Sequence, residues 1–235
     1  MKRLLILAGV LCSTTLAWAQ EIVPVKATFD DMEVVLNHAG FESYAYDLSA
    51  FLEGDACYDV AIRIKEYDGG KELDNDRVLH LGSTRLMLSD FPDETRAESP
   101  DSMLLDPERR ILCEGRRLVL GRYPSGIDSV ARWVFSLENN GRRSLPLEMK
   151  AVLTPDNPPF YNYRSRPFAK SGFESGKFIP LIFFGSVWYD AQCGLFRFCG
   201  EREIDPDLTK GTIVRQVPHF YILGAELTAK QEATE

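Results

Sequence analysis

Residues 133–151 read Trp133-Val-Phe-Ser-Leu-Glu-Asn-Asn-Gly-Arg-Arg-Ser-Leu-Pro-Leu-Glu-Met-Lys-Ala151, and this stretch decides the fold class. Trp133, Phe135 and Leu137 alternate with other residues on the way in, and Leu145, Leu147, Met149 and Ala151 do so on the way out. A strand turns successive side chains to opposite faces, so period-two alternation marks a half-buried strand. Between the runs, Asn139-Asn140-Gly141 supplies residue types that tolerate positive φ, and the chain is expected to double back as an antiparallel hairpin.

The same period recurs outward from the hairpin. Val23, Val25, Ala27 and Phe29 alternate with polar or turn residues. Tyr58, Val60, Ile62 and Ile64 alternate against Asp59, Arg63 and Lys65, and Asp68-Gly69-Gly70 supplies the turn that follows. Apolar stretches also run over 78–88 and over 178–189, the second broken by Pro180, Gly185 and Ser186. Residues 89–108 carry three prolines and a dense run of acids, which predicts an acidic surface loop. Residues 154–167 carry four prolines with Phe160, Tyr161 and Tyr163, and Pro has no ladder donor, so a second loop is expected there. Helix signals are confined to 31–37 and 44–52. The pattern predicts an all-β chain, or a β-rich α+β one: an antiparallel β-sandwich with few short helices, forming one domain over 20–235.

The first nineteen residues carry a compartment signal. Lys2 and Arg3 lead into the apolar run Leu4–Leu11, and Ala17-Trp18-Ala19 offers a small-x-small cleavage site before Gln20. The run is too short to span a bilayer, so residues 1–19 are expected to be a cleavable signal peptide. Cys12 follows Leu11 rather than a small residue, which argues against a lipid anchor. The mature chain is expected to be exported, periplasmic or associated with the cell surface, and no later run reaches the length of a transmembrane segment.

Charge is split along the chain, whose overall net is −8. Residues 21–108 hold 21 acids against 7 bases, a net of −14, whereas 109–235 hold 18 bases against 14 acids, a net of +4. Eight arginines fall between Arg109 and Arg143, among them Arg116 and Arg117. Guanidinium groups suit carboxylate, sulfate or phosphate recognition; the alternative is that they face solvent or pair with the acidic half. A net acidic chain repels nucleic acid over most of its surface, so no nucleic-acid partner is expected.

Four cysteines lie beyond the signal: Cys57, Cys113, Cys193 and Cys199. An oxidising compartment permits disulfides. Residues 193–199 read as a strand, six steps of which span about 20 Å, too far for Cys193 and Cys199 to bridge each other. They are expected either to pair with Cys57 and Cys113 or to remain thiols.

Standard catalytic signatures are absent: no Gly-x-Ser-x-Gly elbow, no His-Glu-x-x-His, no phosphate-binding Gly-rich loop and no Cys-x-x-Cys. No cofactor is expected. The three histidines, His38, His80 and His219, lie far apart and read as structural or exposed. Glu201, Glu203, Asp205 and Asp207 place carboxylates at alternate positions, which makes Asp205 and Asp207 weak candidates for a Ca²⁺ site. They read better as a solvated turn around Pro206. Aromatic density is the remaining signal: 12 of the 26 aromatics fall between Phe160 and Phe198. Phe178, Phe183, Phe196 and Phe198 are expected in the core, whereas Tyr161, Tyr163 and Trp188 lie near loops or strand ends, where rings can receive a sugar face.

Arg197-Phe198-Cys199-Gly200, Glu203-Ile204-Asp205-Pro206-Asp207, Phe178-Ile179-Pro180-Leu181 and Lys65-Glu66-Tyr67 resemble exported proteins of gut Bacteroidetes that form a domain-of-unknown-function family of about this length. The resemblance implies export in a Gram-negative anaerobe and assigns no catalytic residue. In that setting, Asp101-Ser102-Met103 and Asp128-Ser129-Val130 match an O-glycosylation pattern at Ser102 and Ser129. The functional expectation is a non-enzymatic β-sandwich that binds a ligand or partner, with glycan the first class and Tyr161, Tyr163, Trp188, Arg116 and Arg117 the candidate contacts. The alternatives are a carboxylate-dependent glycan hydrolase and a structural component of an envelope assembly.

Overall fold

A computed structural model describes residues 29–154, 158–170 and 172–230; the expected signal peptide and residues 23–28 of the expected first strand lie outside these residues, and Phe29 is helical instead of strand. In chain order the elements are α1 (Phe29–His38), β1 (Glu42–Asp47), β2 (Tyr58–Asp68), β3 (Lys71–Glu72), β4 (Arg77–Ser83), β5 (Arg85–Met87), α2 (Asp93–Glu98), β6 (Ile111–Glu114), β7 (Arg117–Tyr123), β8 (Val130–Leu137) and β9 (Arg142–Glu148). After these come β10 (Tyr163–Pro167), β11 (Phe178–Ser186), β12 (Trp188–Asp190), β13 (Leu195–Arg197), α3 (Thr212–Gln216) and β14 (His219–Ala229).

Two antiparallel sheets face each other. One has the order β1-β7-β8-β9. The other runs β10-β11-β14-β2, with β3 and β4 both pairing along β2. The alternating residues predict which faces meet. Leu118, Leu120, Trp133, Phe135, Leu137 and Leu147 of the first sheet close on Val60, Ile62, Ile64, Ile182, Phe184, Leu223 and Leu227 of the second. Trp133 meets Phe184 edge-on at 5.4 Å between ring centres, which ties the layers at their middle. The fold is an all-β antiparallel sandwich with short helices.

A third layer lies behind the second sheet. Phe183, Phe220, Ile222 and Tyr67 point away from the sandwich and are covered by Phe168, Ile204, Ile213, Val214 and Val217, residues of α3 and neighbouring irregular chain. Strand β14 is therefore buried on both faces from His219 to Ala225, as is usual for a strand covered by layers on either side.

Several expectations need correction. Residues 44–47 form a strand, not helix: Tyr44 and Tyr46 alternate inward, and only Ser49–Leu52 makes a single 3₁₀ turn. The proline-rich segment 154–167 ends in strand β10, because β10 is an edge strand where Pro167 forfeits no obligatory bond. Pro146 likewise sits in edge strand β9, and Pro180 adjoins a bulge in β11. Only Leu195–Arg197 of the stretch 193–199 is strand. Phe196 is 42 % exposed instead of core, since the two-stranded β12–β13 ribbon has no layer over it, whereas Phe183 is fully buried and Phe178 and Phe198 pack partly buried on the third layer. The acidic segment 89–108 is an excursion from the β5–β6 ribbon and contains α2.

Candidate functional site

The sheet registers bring a polar row to one end of the sandwich. Tyr163 of β10 pairs with Ser186 of β11, and His219 of β14 pairs with Asp68 of β2. Ser186 lies one step beyond the Gly185–Phe220 pair, level with His219. Directly opposed residues share a face, so Tyr163, Ser186, His219 and Asp68 all point toward the gap between the sheets. Lys150, just after β9, closes over them from the other layer: its N–H donates to Tyr163 Oη at 2.9 Å and its Nζ pairs with Asp68 at 2.6 Å.

A chain of hydrogen bonds runs beneath this row. His219 is 2 % exposed; its Nε2 lies 2.9 Å from Glu66 Oε1 and its Nδ1 lies 2.5 Å from Tyr163 Oη. An ionised carboxylate can only accept, so Nε2 carries the proton and Nδ1 accepts from the Tyr163 hydroxyl. Glu66 also accepts from Asn75 Nδ2 at 2.7 Å. Burial pushes the His219 pKa down, and the Glu66 hydrogen bond and charge only partly oppose this, so the ring is neutral near pH 7. Burial by itself raises Glu66, but the bonds from His219 and Asn75 outweigh it and hold the carboxyl below its ordinary value. Asp68 is likewise lowered, chiefly by Lys150. Desolvation drives the Tyr163 phenol well up, so it stays a donor.

Above the row opens a cavity of about 530 Å³, walled by Trp188 and Tyr189 and edged by Asp68, Lys150, Gln216 and His219. Ser186 also lines it, with an Oγ that is buried and has no hydrogen-bond partner among the described residues. Aromatic residues and hydrogen-bonding groups thus line one cavity, which can offer a polyhydroxylated ring both apolar and polar contacts.

Of the residues singled out from sequence, Trp188 lies in this cavity. Tyr163 stands beneath it, only 4 % exposed, so its ring is no surface platform and its hydroxyl serves the His219 chain. Tyr161 is on the surface nearby, beside Phe160. Arg116 and Arg117 lie at the opposite end of the first sheet, beside Asp47 and Glu138, where Arg116 pairs with Glu114 at 2.9 Å. The structure does not bring them to the Trp188 cavity. Asp205 and Asp207 spend their carboxylates on turn amides and face Lys210. The described cysteines are all thiols: Cys57 and Cys113 are half-buried near the β5–β6 ribbon, and Cys193 and Cys199 are exposed around β13. No disulfide joins the two groups. Ser102 is exposed in a single 3₁₀ turn, and Ser129 is half-buried before β8.

Sequence reasoning missed His219, Glu66, Asp68, Lys150 and Gln216, which come from separate elements. One signal was available: His219 directly precedes the apolar run Phe220-Tyr221-Ile222-Leu223, a place where a polar side chain must find partners.

No curated protein and no solved structure matches this chain. Among protein families, residues 13–229 match the one described as a domain of unknown function, DUF5041, and the chain belongs to that family.

Proposed function

We propose that this is an exported glycan-binding protein that holds a neutral sugar in the Trp188 cavity and does not turn it over. The observation that carries the reading is the wall composition of one cavity: two half-buried aromatic rings, Trp188 and Tyr189, beside the accessible Asp68–Lys150 pair and the exposed amide of Gln216. Charge argues for a neutral ligand. Among the described residues, the one ammonium lining the cavity is already bound to Asp68, and His219 is neutral, so an anionic sugar would meet Asp68 with no free cation among them to receive it.

The same carboxylates argue against hydrolysis. A glycosidase keeps one carboxyl protonated as its acid, which needs a raised pKa. Glu66 and Asp68 are both held below the ordinary range, and Glu66 is committed to His219 and Asn75. Export rests on Lys2, Arg3 and the run to Leu11; fractionation of expressing cells and N-terminal sequencing test it, with Gln20 as the expected new terminus.

The binding test is thermal melting against neutral, uronic and sulfated oligosaccharides. A ligand at 100 times its dissociation constant adds about 2.7 kcal/mol to a protein it binds only when folded. A neutral class is expected to raise Tm in the wild type and to lose most of that effect in Trp188→Ala. No shift with any sugar would overturn the reading.

A further inference from the structure

We infer that the site takes a glycan chain and not a single terminal sugar, because an aromatic track leads out of the cavity across the β12–β13 ribbon. This rests on the glycan reading of the cavity. Tyr189 is the shared residue: it walls the cavity and also pairs with Phe196 across the ribbon, with ring centres 5.3 Å apart. Phe160 then meets Phe196 edge-on at 4.5 Å, which pins the Phe196 ring in place. The steps from ring to ring are on the scale of one sugar unit.

Exposure and charge select the occupant. Phe196 is 42 % exposed and Leu195 is 60 % exposed, on a ribbon too short to bury them. Phe160 bridges back to Val152, itself a cavity residue, so track and cavity form one continuous surface. The two charges of the ribbon, Asp190 and Arg197, neutralise each other at 2.8 Å. An uncharged surface of aromatic rings, continuous with a cavity that carries hydrogen-bonding groups, fits the alternating apolar faces and hydroxyl edges of a neutral polysaccharide. A second copy of the protein is the competing occupant.

The test measures affinity by calorimetry for neutral oligosaccharides of glucose, mannose and xylose, from the monosaccharide to the hexasaccharide. The wild type is expected to bind the hexasaccharide of one series at least tenfold more tightly than its monosaccharide. Phe196→Ala is expected to lose roughly five- to tenfold of that gain, the scale of one aromatic contact. Leu105→Ala, an exposed residue in the acidic excursion, is the control and should keep it. Equal melting temperatures for the three proteins would show that each is folded. Affinity that does not depend on chain length, or a gain that survives in Phe196→Ala, would overturn the inference and leave the cavity reading standing. So would sedimentation showing a wild-type dimer that Phe196→Ala dissolves with no effect on sugar affinity. Silence toward sugars of every length would overturn the cavity reading itself.

Discussion

His219 shows how one buried side chain links acidity to stability. Its pKa is lowered in the folded protein, so below about pH 6.5 the unfolded chain binds the proton more readily than the native state. Stability is therefore full above that pH and falls as acid is added. Glu66 acts in the same direction at lower pH, because its carboxyl is also lowered and its contribution is lost as pH falls below 4.5. Melting curves are expected to show Tm dropping between pH 7 and 5, with a slope of up to about 1.4 kcal/mol per pH unit from this histidine. His219→Gln removes the titration but retains a donor and an acceptor, and should flatten that limb; an unchanged slope would mean that another group is responsible. Arg85 makes the second prediction at this scale. It is 4 % exposed, and its guanidinium bonds the carbonyls of Leu52, Gly54 and Ala56 while pairing with Glu114 at 3.1 Å. Arg85→Ala leaves the carbonyls of Leu52 and Ala56 without their side-chain donor, while Glu114 keeps Arg116 and Gly54 O keeps Arg109, so urea unfolding should report a loss of about 1–3 kcal/mol. Arg85→Lys should recover little, since an ammonium lacks the fork that spans these acceptors.

Among elements, the β8–β9 hairpin gathers the most constraints. Asn139 takes positive φ at +56°, as its place in a tight turn requires. Asn140 Nδ2 donates to Ser83 O at 2.8 Å, which anchors the turn to β4 of the other sheet. Gly141 lies against Leu81 so closely that a Cβ there would enter the van der Waals shell of the Leu81 carbonyl. The glycine is needed for space, not for φ. Gly141→Ala must push the hairpin tip off β4, with an expected cost of about 1–3 kcal/mol by urea unfolding; a variant as stable as wild type would show that the tip does not bear on β4. The hairpin and β2 were legible because their alternation reports one buried face and one wet face. Strand β14 was not, although it is the most buried strand. Its residues from His219 to Ala225 are covered on both sides, so no period survives in their hydrophobicity. Strand β1 was misread as helix for the opposite reason: it is six residues long and adjoins a 3₁₀ turn, which blurs its period.

At the scale of the whole molecule, the split in charge is met in part by pairs within the fold. Arg122 pairs with Glu42, Arg109 with Asp55, Arg110 with Asp101, and Lys150 with Asp68, each joining the basic half of the chain to the acidic half. The composition made this pairing foreseeable, but not which pair would edge a cavity. The candidate site was legible only through Trp188 and through Tyr163, which serves the site by its hydroxyl and not by its ring. Its other members are scattered from Glu66 to His219 and meet only when β10, β11, β14 and β2 stand in register, information that no local pattern holds. The central claim is that a neutral sugar stacks on Trp188, and intrinsic fluorescence tests it most directly. The chain has three tryptophans: Trp18 lies in the expected signal peptide, and Trp133 is fully buried in the core. With the expected signal peptide removed, Trp188 is thus the one tryptophan that a ligand can reach. Titration of the mature protein with a neutral oligosaccharide series is predicted to give a saturable change in emission that disappears in Trp188→Phe. A flat titration, or a change that persists in Trp188→Phe, would contradict the account.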